Sequence, residues 1–332
     1  MTVMNARRLI SSAILAGALS LGLVALSACA AFDSTDSAGT ADASAKKSGG
    51  KLAVTASFYP MRYLAERIGG DHVSVTTLTK PGVEPHDLEL APRQAADLGE
   101  ADVVLYLKGI QPAVDDAIAQ SGVKNVVDAA SLTAMERHGT EAGAREETRD
   151  AERAEATAAG TDPHIWLDPV KFTEVANGVG AALEKADPDH AAAYRRNTGS
   201  LVKDLSALDT SYKQGLADTG GRTFITTHAA FGYLAERYGL EQEAITGIDP
   251  ESEPSPARIR DLGAIAKRDK VTTVFFETLT SDRTARTVAD DAGLRTDVLD
   301  PLEGITDSSK GDDYLQVMRS NLAALRKALG AK

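Results

Sequence analysis

Between residues 187 and 218 the chain reads DPDHAAAYRRNTGSLVKDLSALDTSYKQGLAD, and Tyr194, Leu201, Leu205, Leu208 and Tyr212 recur at spacings of three, four and seven. That period predicts a long helix with one buried stripe. Asp187 is suited to an N-cap, Pro188 to the first helical position and Asp189 to the positive end of the helix dipole. Gly220-Gly221 marks the end. About thirty residues at ~1.5 Å each make a rod of roughly 45 Å. Gly199, inside it, costs about 1 kcal/mol relative to Ala.

The pattern repeats on either side of this rod. Tyr63-Leu64-Ala65-Glu66-Arg67-Ile68-Gly69 before it matches Tyr233-Leu234-Ala235-Glu236-Arg237-Tyr238-Gly239 after it, and Asp97-Leu98-Gly99 matches Asp261-Leu262-Gly263. In the first half the β-branched and apolar runs predict strands at 51–56, 73–78, 103–107 and 125–128, with helices at 61–68 and 92–98. In the second half they predict strands at 222–226, 271–276 and 296–299. Helices are expected at 231–238, 257–268, 282–291 and 314–329. Alternation at this spacing implies α/β architecture with parallel sheets flanked by helices. Two units of one design, residues 51–186 and 219–332, joined by a linker helix at 187–218, leave a cleft between them.

The N-terminus is a targeting segment and is set aside from the fold. Arg7-Arg8 precede an apolar run from Leu9 to Leu26, which closes on Leu26-Ser27-Ala28-Cys29. This resembles a bacterial lipobox: a signal peptide over 1–28, cleavage before Cys29, and lipid on that residue. A transmembrane helix is the competing reading, disfavoured by the small-residue ending. Cys29 is the only cysteine, so neither a disulfide framework nor a thiolate metal site is available. Residues 29–50, small and polar, read as a flexible lipidated tether of about 25 Å. Residues 136–162, charged, Ala-rich and without an apolar period, read as a mobile surface loop. The formal net charge of −12 argues against nucleic acid and against an electrostatic membrane patch, and suits a cationic ligand.

The six histidines divide into two groups. His72 lies in a turn, His138 in the charged loop and His190, read as solvated, at the start of the rod; none of the three carries a functional signal. His86 (GVEPHDLEL), His164 (DPHIWLDP) and His228 (FITTHAAFGYL) stand instead in junctions between predicted elements. Ligands of open α/β sheets collect at the carboxyl ends of strands, so these three can converge on one cleft. Neutral imidazole is the common nitrogen ligand for Zn²⁺. An oxygen ligand is expected from VLDPLEGIT after the last strand, either Glu303 or Asp300.

In SFYP (Ser57 to Pro60), EPHDLEL, DPHIWLDP, YRRN (Tyr194 to Asn197), TTHAAFGYLAERYGL and DPLEGIT, the chain resembles the metal-binding solute-binding proteins of bacterial zinc/manganese ABC importers, the group with a rigid linker helix. The resemblance covers nearly the whole mature chain. It implies two lobes, each a mostly parallel four-stranded sheet flanked by helices. His86, His164 and His228 match the imidazole ligands, and Glu303 the carboxylate of zinc-type members. It further implies Zn²⁺ as transported ligand, an ABC permease and its ATPase as partners, a lipid-anchored monomer on the extracytoplasmic face, and no enzymatic activity. Manganese-type members carry an acid where His228 stands, so Mn(II) or Fe(II) capture is the alternative within the family. A zinc hydrolase or a surface adhesin is the alternative outside it; no HExxH or GxSxG signature supports a hydrolase. The His-rich loop of many zinc-type members is reduced here to His138, which puts a zinc-gathering role for that loop in doubt.

Overall fold

A computed structural model describes residues 50–138 and 161–332. The signal peptide, Cys29, the tether and most of the charged loop fall outside these residues. Among the described residues no helix is long and apolar enough to cross a membrane.

Two four-stranded parallel sheets form the frame. The first holds β1 (Leu52–Ala56), β2 (Val73–Thr77), β3 (Val103–Tyr106) and β4 (Val126–Asp128) in the order β2-β1-β3-β4. The second holds β5 (Thr223–Thr226), β6 (Glu241–Ala244), β7 (Thr273–Phe276) and β8 (Arg295–Val298) in the order β6-β5-β7-β8. The internal repeat is thus a repeat of topology. In each sheet the strand order reverses beside the first strand, between β1 and β3 and between β5 and β7, the position where α/β sheets bind ligands. β1 is paired on both sides, Val54 to Val75 and to Val103. Its burial follows: Val54 and Ala56 are inaccessible.

The helices are α1 (Tyr59–Gly69), α2 (Pro92–Asp97), α3 (Pro112–Ser121), α4 (Pro169–Ala186), α5 (Ala191–Gly215), α6 (Gly232–Tyr238), α7 (Pro256–Arg268), α8 (Arg283–Ala292) and α9 (Tyr314–Ala328). The rod expected over 187–218 is shorter at both ends. A 3₁₀ turn at Pro188–His190 precedes α5, and the helix ends at Gly215. At the start the reason lies in Asp187, whose Oδ2 accepts from Tyr194 Oη at 2.8 Å and pairs with His190 Nδ1 at 2.6 Å instead of capping the helix. The expected stripe is buried in full, and α5 packs against α1, α4 and α9.

Three elements are absent from the sequence reading. β6 is an edge strand with one buried residue, so EQEA lacks an apolar signature. α3 has a single buried residue, Val114. α4 carries Gly178 and Gly180, which weaken helix propensity. A Cβ at Gly180 would lie 2.3 Å from Thr198 Oγ1, so this glycine allows α4 and α5 to approach closely.

One apolar core runs through both halves along α5. Trp166, Phe58, Tyr63, Phe172 and Tyr314 meet there edge-on or tilted, with centroid separations of 4.7–5.3 Å. Tyr212 Oη donates to Met318 O at 2.7 Å, which fixes α9 to the rod.

Candidate metal site

The four expected residues come from four separate loops. His86 follows β2, His164 begins a 3₁₀ turn before α4, His228 follows β5, and Glu303 follows β8. The structure brings all four together, their donor atoms within 4.8 Å of one another. Glu303 Oε1 lies 3.3 Å from His86 Nε2, 3.1 Å from His164 Nε2 and 3.2 Å from His228 Nε2. His228 Nε2 and His164 Nε2 are 3.4 Å apart. The side chains of His164, His228 and Glu303 have no exposed area, and His86 retains 10%.

These separations have a simple geometric meaning. Four ligands at ~2.0–2.1 Å around a tetrahedral zinc lie about 3.3–3.4 Å from each other. Four of the six edges, at 3.1–3.4 Å, have the lengths of that tetrahedron, and the two from His86 to the other imidazoles are within 4.8 Å.

The other ring nitrogen orients each buried imidazole. His164 Nδ1 is 2.7 Å from Asp162 Oδ1, which also accepts the His164 backbone N–H at 2.9 Å. His228 Nδ1 is 2.6 Å from Glu277 Oε1, and Thr227 Oγ1 donates to the same oxygen. A carboxylate on Nδ1–H leaves the Nε2 lone pair facing the site and raises its basicity. The His86 loop is held by Glu84, whose carboxylate accepts the N–H groups of His86 and Asp87 at 3.0 and 3.2 Å.

Electrostatics follow from this arrangement. Burial alone would push the His164 imidazole down; its bonds to Asp162 and Glu303 outweigh that and raise it above the ordinary value. His228 is raised further, burial again being overcome, here by the charges of Glu277 and Glu303. Glu303 would be raised by burial, but His228 and the bonds to His164 and His86 hold it well below the usual carboxylate range. Its second oxygen, Oε2, is buried without a hydrogen-bond partner, which leaves it available to a cation.

Asp300, the alternative oxygen donor, is engaged elsewhere. Oδ1 accepts the Leu302 N–H at 2.8 Å and Oδ2 accepts from Thr278 Oγ1 at 3.0 Å. It shapes the turn in which Leu302 takes φ +60°, and that turn aims Glu303 at the histidines. Positive φ in a bulky residue is held only by its surroundings, and the Leu302 side chain is wholly buried.

His72 and His190 lie away from this cluster, stacked on each other at 4.0 Å. His138, which carried no functional signal in the sequence, is held on both ring nitrogens. Nδ1 is 2.8 Å from Asp162 Oδ2, Nε2 is 2.8 Å from Glu236 Oε2, and the ring edge meets Tyr233. Asp162, Glu277 and Glu84 escaped the sequence reading. Asp162 and Glu84 stand two residues before His164 and His86, a local spacing that could have pointed to them; Glu277 is 49 residues from His228, and its signal was its place directly after an apolar strand.

Two similar α/β lobes, a connecting rod and a buried His₃–carboxylate cluster at the strand ends define a class of two-lobed binding proteins. Residues 54–328 match the family model described as zinc-uptake complex component A, periplasmic, and the chain belongs to that family. It is 33% identical over 322 residues to the high-affinity zinc uptake system protein ZnuA of Bacillus subtilis, covering 94% of this chain and 98% of that one. It is also 33% identical over 288 residues to the zinc-binding lipoprotein AdcA of Streptococcus pneumoniae, with 85% of this chain covered. The match spans 56% of AdcA, little more than half its length. Among solved structures, the Zn(II)-bound ZnuA-like domain of AdcA superposes with a TM-score of 0.68 at 31% identity, covering 84% of this chain and 99% of that one. The laminin-binding protein Lmb of Streptococcus agalactiae, described as bifunctional with adhesin and metal-transporting activity, gives 0.73 at 30% identity, with the same coverage.

Proposed function

We propose that the protein captures Zn(II) between its two lobes through His86, His164, His228 and Glu303 and delivers it to an ABC permease driven by a partner ATPase. The observation that carries this reading is the convergence of three Nε2 atoms on one carboxylate oxygen at 3.1–3.3 Å, with all four donors within 4.8 Å of one another. Three nitrogens and one oxygen suit zinc; manganese prefers more oxygens and a higher coordination number. The names of the B. subtilis and S. pneumoniae relatives support the same cargo. Cys29 anchors the protein, as a monomer, on the extracytoplasmic face of the membrane.

A hydrolytic zinc keeps its fourth position open for water. Here Glu303 stands at that position, which favours capture over catalysis. Competitive titration with zinc and a chelator of known affinity tests the proposal. One tightly bound equivalent that is lost in His228→Ala supports it, and unchanged uptake in that variant overturns it.

A further inference from the structure

β8 is an edge strand, and its ladder ends just before the turn that carries Glu303. The Leu299 N–H makes the last bond to the neighbouring strand, donating to Phe276 O at 3.1 Å. One residue on, a side chain takes over. Asn321 Oδ1 accepts the Asp300 N–H at 3.0 Å, and Asn321 Nδ2 donates to Asp300 O at 2.7 Å. The amide thus offers Asp300 the paired donor and acceptor that a further strand would offer. Both residues are 2% exposed.

Asn321 stands on α9, and α9 is itself fixed. Tyr212 Oη of the rod donates to Met318 O, one turn earlier, at 2.7 Å, and Asp313 caps the helix start by accepting the Gln316 N–H at 2.9 Å. From Asn321 the restraint passes into the turn. Asp300 Oδ1 accepts the Leu302 N–H at 2.8 Å, Thr278 Oγ1 donates to Asp300 Oδ2 at 3.0 Å, and Leu302 keeps φ +60°. Glu303 is the next residue. Behind the pair, a cavity of about 260 Å³ lined by Val298, Asp300, Lys310, Asn321 and Lys327 leaves that side of the turn unpacked, so hydrogen bonds hold it there.

The turn decides which oxygen of Glu303 reaches the site. Oε1 lies 3.1–3.3 Å from all three Nε2 atoms, while Oε2 is buried without a hydrogen-bond partner. A carboxylate held in one pose supplies one oxygen and completes a set of four donors, which suits zinc. One free to swing supplies both oxygens and raises the coordination number toward the range manganese prefers.

We infer that Asn321, together with Thr278, is a positioning residue that sets metal preference: it lies outside the donor set and acts through Asp300 on the pose of Glu303. The inference rests on the proposed capture of Zn(II) by the cage and deepens it. Part of the choice of zinc over manganese belongs to a helix that carries no ligand.

Competitive titration with zinc and manganese, together with the absorption spectrum of the cobalt(II)-loaded protein, tests it. Asn321→Leu removes both bonds to Asp300 at similar volume, and Thr278→Val removes the hydroxyl alone. Zinc affinity falls in each, by about 10–100-fold in Asn321→Leu, and manganese affinity falls less. The d–d bands of cobalt, intense in a tetrahedral site, weaken as the coordination number rises. Thr278→Ser, which keeps the hydroxyl, restores the wild-type preference and spectrum. Leu322→Ala, on the side of α9 that packs against Gly215 of α5, lowers the melting temperature and changes neither readout. Should Asn321→Leu not fold, the Thr278 pair decides alone. Wild-type preference and spectrum in either removal variant, or an equal change in Leu322→Ala, overturns the inference. A wild type without a tight zinc equivalent overturns the capture reading as well, so the two failures are distinguishable.

Discussion

Trp166 Nε1 donates to Pro301 O at 2.7 Å, and this bond joins the two ligand loops directly. Trp166 lies two residues after His164 and Pro301 two residues before Glu303. Tyr314 Oη in turn donates to Trp166 O at 2.6 Å. The imidazole of one half and the carboxylate of the other are therefore held in register by buried backbone carbonyls. Trp166→Phe removes the donor and leaves Pro301 O unsatisfied, which costs about 1–3 kcal/mol. Denaturant unfolding of the zinc-free protein should show that loss, and zinc affinity should fall with it. Stability equal to wild type would show that the strap is unimportant.

The orienting carboxylates should matter without touching the metal. Asp162→Asn and Glu277→Gln keep size and fold but lose the charge on Nδ1–H. Each should weaken zinc binding by about 10–100-fold, the usual effect of such partners. Chelator competition measures it, with circular dichroism to confirm that the fold is intact.

Acidity should move the zinc-free and zinc-loaded proteins in opposite directions. His164 and His228 are raised in the folded protein above an unfolded value of ~6.5. Their stabilising contribution is complete below that value and is lost as pH rises through the raised folded values. The melting temperature of chelated protein should therefore decline as pH rises from neutrality, as far as these two groups decide it. Zinc needs both Nε2 lone pairs, so its stabilisation grows over the same range as protons leave. At free zinc ~1000 times Kd it amounts to about 4 kcal/mol. Calorimetry in buffers of different ionisation enthalpy should also show proton release on binding at neutral pH. A zinc-induced shift in melting temperature that shrinks from pH 6 to pH 8 would contradict the assignment.

Metal preference should follow His228. Wild type should bind zinc stoichiometrically and manganese far more weakly. His228→Glu leaves two nitrogens and two carboxylates, so it should weaken zinc more than manganese and narrow the preference. His190→Ala, whose ring stacks on His72 far from the cage, should alter neither. Competitive titration of the three proteins with both metals decides the point. A wild type that prefers manganese would refute it.

The anchor can be tested by fractionation. Cys29→Ala should shift the protein from the membrane to the soluble or secreted fraction, or leave it as unprocessed precursor. Unchanged processing and attachment would rule out lipid on Cys29.

How much of this was legible depended on how local the determinants are. His86, His164, His228 and Glu303 each sit in a short motif at the end of a patterned element, and the topological repeat showed in YLAER and DLG on both sides of the rod. Strand β6 was invisible because an edge strand buries so little. Helix α4 was invisible because Gly178 and Gly180 serve close contacts, with Leu132 and with Thr198 of α5, rather than helix propensity. The contacts of His138 were not legible because they are tertiary: Asp162 is 24 residues away and Glu236 is 98. The choice between Asp300 and Glu303 turned on a backbone torsion at Leu302 that composition does not reveal.

The unequal burial of the four donors has a kinetic meaning. His164, His228 and Glu303 are sealed, and His86 alone touches solvent, on a loop without regular structure between β2 and α2. That loop contains Pro81 and Pro85 and is pinned at its tip by the Glu84 carboxylate. Residence time and affinity are then set by different parts of the molecule. The depth of the well belongs to all four donors, whereas the height of the exit barrier belongs to the loop that carries His86. Loosening the Glu84 contacts would shorten the dwell of the ion with little change in the donor set. A receptor that pulls on this one loop could take the cargo without prising the lobes apart.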